Sequence, residues 1–133
     1  MFLNRLSNEQ KELFLDLCIH ASKSNDDFSA DEKFVIDQYC EEMHIPVRYE
    51  EQHEMATLAE KLIAVSSESD LKIILLETSA LLLSDNKFDE FEQQFIEAFT
   101  KQIGMTREQL DSVLAMLREL TGIYDKIGEF IFG

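Results

Sequence analysis

The chain has no tryptophan and is poor in proline, glycine and cysteine, with one, four and two of them in 133 residues. So few turn formers leave little room for the many short strands of a β-sandwich or barrel, and they favour helices. Cys18 and Cys40 are too few for a disulfide framework, and in a reducing compartment they stay as thiols. Bases are scarce as well, 12 against 27 acids, for a net charge of -15. The deficit is even, with 14 acids and 6 bases in residues 1–66 and 13 and 6 in residues 67–133. A surface of this sign repels phosphate backbones and anionic lipid, so neither nucleic acid nor membrane insertion is expected. It suits cations and basic proteins, and it also serves solubility alone. No long apolar run exists: Leu71–Leu83 is interrupted by Lys72 and Glu77 and is too short to span a bilayer. Residues 1–10 turn polar before a signal-peptide core forms, and the expected location is cytoplasmic.

What is present is apolar residues at helical spacing. Ser7 with Gln10 forms a capping box for a helix to about residue 23, with Leu13, Phe14, Leu17, Cys18 and Ala21 inward. Ser29 opens a second helix to about Met43. Pro46 ends that pattern and restarts a helix over 47–66, broken near His53. Ser67 or Ser69 caps a helix that is apolar on most sides, which predicts a central position. Asp89 caps its partner to Ile103, where Gly104 fits a left-handed end. Thr106 with Gln109 begins a last long helix to Leu120, ended or kinked at Gly122. The apolar tail Ile123, Tyr124, Ile127, Phe130 and Ile131 is expected to pack back beside Phe2, Leu3 and Leu6.

The chain also contains itself twice. A shift of 60 positions lays Asn25–Ile36 on Asp85–Ile96 without a gap, matching Phe28 to Phe88, Glu32 to Glu92, Ile36 to Ile96 and Tyr39 to Phe99. This predicts an all-α bundle of about six to eight helices built from two related helix-loop-helix repeats, at about 7–66 and 67–127, in one domain over 1–133.

Each loop starts with an amide or carboxylate, has a phenylalanine three residues on and a glutamate seven residues on. Two readings fit. Ser29 with Glu32 and Asp89 with Glu92 make capping boxes, worth about 1 kcal/mol each, with Phe28 and Phe88 plugging the core below. Alternatively, hard oxygen ligands gather a divalent cation such as calcium, from Asp85, Asn86, Asp89 and Glu92 in the second loop and Asn25, Asp26, Asp27 and Glu32 in the first. Exposed amides at a helix start oppose a cation there. An EF-hand is excluded, because its ligand and terminal glutamate positions fall on Lys87 and Ile96.

These paired motifs, Asn25 to Glu32 and Asp85 to Glu92, each followed by an apolar helix, resemble the TerB tellurite-resistance family over about residues 7–120. The resemblance implies a compact helical domain, a metal-binding or interaction module tied to tellurite and stress responses, without an established enzymatic reaction. The chain departs from the family pattern at Asn25, where aspartate is expected, and at Asp26 and Asn86, which replace the turn glycine. Asn25 takes a negative charge from the first loop, so the second is the better cation candidate.

Catalytic motifs are absent: no phosphate cradle, zinc-protease signature or nucleophile elbow. Cys40 and His44 have a zinc-compatible spacing that a buried thiol and a helix-end histidine also explain. Cys18 and His20 project to different faces. The sequence therefore points to a non-enzymatic acidic module that engages a protein partner, or to a cation binder or sensor using the two loops.

Overall fold

The computed structural model describes residues 1–85 and 87–133. After a 3-10 turn at Leu3–Arg5 come six helices: α1 Asn8–Ser22, α2 Ala30–Met43, α3 Met55–Val65, α4 Glu68–Leu82, α5 Glu90–Gln102 and α6 Arg107–Phe132. No strand occurs among the described residues, and no helix there is long and apolar enough to cross a membrane.

Side chains start five of the six helices. Ser7, Ser29, Ser67, Asp89 and Thr106 each accept a hydrogen bond from the backbone three residues on, where Gln10, Glu32, Asp70, Glu92 and Gln109 reach back to the cap amide. These reciprocal bonds satisfy donors that the first helical turn leaves open. α1 and α4 have bounds 60 residues apart at both ends. α2 and α5 finish on left-handed residues, His44 at φ 58° and Gly104 at φ 78°.

α1 and α4 form the centre. α1 packs on α2, α3, α4 and α5, and α4 on α1, α2, α5 and α6. The core contains Phe14, Leu17, Ile19, Ile36, Leu58, Leu62, Ile74, Leu75 and Phe99, all fully buried. α4 is central as expected, yet Ile73 and Leu76 are only half-buried while Glu77, Thr78 and Ser79 are buried. Glu77 takes the chain's first amine at 2.7 Å, and the Tyr39 hydroxyl donates to the Glu77 carbonyl at 2.8 Å.

Two expectations fail. Residues 47–54 are not helical; they wrap α1 because its buried Asp16 captures them. Asp16 accepts from the Arg48 guanidinium at 2.9 Å, the Gln52 amide at 2.6 Å and the His53 amide at 2.9 Å. Burial alone would raise the Asp16 pKa, but these donors outweigh it and hold the carboxyl below its ordinary range. The second failure is the tail. α6 neither ends nor breaks at Gly122 but runs 26 residues to Phe132, about 39 Å. Ile123, Tyr124, Ile127, Phe130 and Ile131 remain 47–90 % exposed instead of packing on the amino-terminal residues.

Candidate functional site

The two loops lie side by side at one end of the bundle and have matching internal bonds. The Ser24 and Ser84 hydroxyls donate back to the carbonyls of Ala21 and Leu81. Asn25 and Asp85 each accept, through Oδ1, a backbone N–H two residues on at 3.0 Å. Asp26 turns the first loop with φ 61°, a region aspartate enters more easily than most residues. Phe28 and Phe88 are half-buried against the core.

The loops also bond to one another. Asn25 donates its amide N–H to Asp89 Oδ2 at 2.6 Å, a bond that an ionised aspartate at position 25 could not make. A carboxylate there would face Asp89 as a like charge, whereas the amide supplies a donor. That bond is the first cause of a lowered Asp89 pKa.

Below this bridge lie Glu32 and Glu92, both with no solvent exposure. Each gives Oε1 to its own cap, from Ser29 N–H at 3.1 Å and Asp89 N–H at 3.3 Å. Each leaves Oε2 buried without a donor. The two carboxyls are within hydrogen-bonding reach of each other, and Asp85 adds negative potential at Glu32. Burial first, and then its neighbour's charge, pushes Glu92 up to about 8; burial raises Glu32 as well. Two adjacent buried carboxylates resist ionising together, so the pair favours holding a proton that an exposed carboxylate would lose.

A second pair of positions 60 apart also meets. Gln10 donates to Asp70 Oδ2 at 2.9 Å, and the same amide group bonds the Val65 carbonyl and the Ser66 hydroxyl. There a donor faces an acceptor, and Asp70 is held low, first by Gln10. At Glu32 and Glu92 two acceptors face one another, and only a proton or a cation reconciles them.

Of the residues expected to ligate a cation, Glu32, Asp85, Asp89, Glu92 and Asn25 come together. Asp26 and Asp27 point to solvent, and Asn86 lies outside the described residues. Among the described residues no three His, Cys, Asp or Glu side chains are grouped to hold a metal ion. Capping is therefore present and, among the described residues, a metal-holding group is not: Oε1 of each glutamate caps, and Oε2 of each is buried without a donor. The bridge and the caps leave both carboxyls without solvent exposure. The thiols are poor nucleophiles, because burial raises Cys18 well above its ordinary value and lifts Cys40 to about 11.

Sequence reasoning missed Asp16, although an acid in the middle of the apolar run Leu13–Ile19 was a visible signal. It also missed a groove of about 680 Å³ between the amino-terminal turn, α4 and the first half of α6. Its walls include the half-buried Ile73, Leu76 and Val113 and the exposed Met116, with Arg5 and Lys72 at its rim. Comparison with family models, curated proteins and solved structures gave no match for the chain.

Proposed function

We propose that the protein is a non-catalytic, TerB-like helical module that works by protein contact within a stress or tellurite-resistance type of system, and that the second half of α6 is its contact surface. The observation that supports this is the run of large apolar side chains from Ile123 to Phe132 left uncovered on a chain of net charge -15. Single exposed apolar residues are ordinary, but a contiguous set on one helix is an interaction face. The sequence resemblance supplies the biological setting.

Cross-linking in cells with a photoreactive residue at position 124 tests the reading. Polypeptide adducts that vanish in the Ile123→Glu/Ile127→Glu variant are expected; adducts unchanged in that variant would refute it.

A second reading rests on the neighbouring buried carboxyls of Glu32 and Glu92, each with an Oε2 that has no donor. A divalent cation in place of a proton there would convert the paired loops into a cation sensor, with Asp85 and Asp89 as the neighbouring carboxylates. Thermal unfolding of chelator-treated protein with millimolar calcium, magnesium, manganese or zinc tests it. An ion at about a hundred times its dissociation constant stabilises by about 2.7 kcal/mol. The reading requires a rise for one ion that Glu92→Gln abolishes; equal small rises for all four would mean charge screening only.

A further inference from the structure

We infer that α6 pairs with α6 of a second copy, antiparallel, so that the uncovered end of each helix lies along the other copy's groove between α4 and α6. The inference rests on the interaction-module reading and names its partner. The first support is spacing. Val113, Met116, Leu120, Ile123, Ile127 and Phe130 follow one another by three, four, three, four and three residues, the seam of a two-stranded helical pair. Val113 and Met116 are in the groove, while Ile123, Ile127 and Phe130 are on the overhang, so one stripe runs from the groove to the bare end.

An antiparallel pairing about the middle of this stripe sets Leu120 against Ile123 of the second copy, Met116 against Ile127 and Val113 against Phe130. Each overhang then fills the groove of the other. The same register brings Glu119 beside Lys126 of the second copy, twice by symmetry. Both side chains are exposed, and neither has an ion-pair partner among the described residues. A parallel pairing would not bring them together, because both occupy the same heptad position.

The other half of the chain shows what a covered flank looks like. Asp16 and Leu76 are 60 positions apart on α1 and α4. Residues 47–54 close over Asp16, which has no exposure. The link after α5 is short, and Leu76, apolar and only half-buried, lines the open groove. Of the charges in the groove lining, Lys72 pairs with Glu68 and Glu108 is acidic, which leaves Arg5 as the base that the overhang acids Asp125 and Glu129 can meet.

Sedimentation equilibrium of the full chain from micromolar to millimolar concentration tests the pairing. Wild type is expected to form a dimer, and Ile123→Glu/Ile127→Glu to stay monomeric with the helicity of dilute wild type, since both side chains are exposed in one chain. Glu119→Lys should weaken the dimer about tenfold, and Glu119→Lys/Lys126→Glu should restore it. A wild-type monomer at every concentration, or a dimer that the double charge exchange fails to restore, would overturn the proposal. A monomer that floats with anionic vesicles would overturn it too. If the wild type is monomeric but still gives cellular adducts at position 124, self-pairing fails and the interaction module stands; no adducts would remove both.

Discussion

α1 and α4 are equal in length and equally central, yet their outer flanks differ. α1 carries Asp16, and the eleven residues from His44 to Glu54 separate α2 from α3 and close over it. α4 carries Leu76 at the related position, and the link from α5 to α6 turns at once through Gly104. One flank is sealed by polar bonds within the chain; the other is an apolar groove beside an overhanging helix. A buried carboxylate rich in donors fixes structure, and an apolar flank without cover offers a surface.

The largest effect is expected from breaking the sealed side. Asp16→Ala leaves the Arg48 guanidinium and two backbone amides without their acceptor, and should cost about 3–5 kcal/mol, a large part of a domain's ordinary stability. Chemical denaturation read by circular dichroism measures it. Leu76→Asp on the open flank should cost much less, because that side chain is already half in water.

Next comes pH, at the place where the two halves meet. The Glu92 pKa is about 8 in the fold and ordinary when unfolded, about 4.3. A carboxyl raised on folding stabilises fully below its unfolded pKa, and that contribution is lost as pH rises through the folded value. The melting temperature should therefore fall between about pH 4.5 and pH 8, and Glu92→Gln should flatten that slope while keeping a donor for Glu32. An equally steep slope in the variant would disprove the shared proton.

Smaller effects should sharpen the likeness of the loops. Ser29→Ala should cost about 1 kcal/mol by removing a cap. Asn25→Asp should cost more than Asn25→Ala above pH 5, since it replaces the donor to Asp89 with a like charge; urea titrations of both variants at two pH values compare them.

The helix starts were legible because a capping box is local: Ser7, Ser29, Asp89 and Thr106 sit within three residues of the partners they need. Residues 47–54 misled for the opposite reason. Arg48, Glu50, Glu51 and Gln52 favour helix by propensity, but the acceptor for the Gln52 and His53 amides is Asp16, more than thirty positions away. Gly122 suggested a stop that α6 passes through, since a glycine weakens a helix without ending it. The loop acids were legible as candidates, but the facing of Glu32 and Glu92 was not, because it depends on how α2 and α5 pack.

The central claim is that the second half of α6 is a binding surface that a second copy of the chain covers, and amide hydrogen exchange over residues 121–132 tests it most directly. A helix end without packing frays and exchanges quickly. The account predicts rapid exchange in dilute protein and strong protection at high concentration, lost in Ile123→Glu/Ile127→Glu. Protection at every dilution would mean that the tail packs on its own bundle, and rapid exchange at every concentration would mean that no second copy covers the face; either contradicts the account.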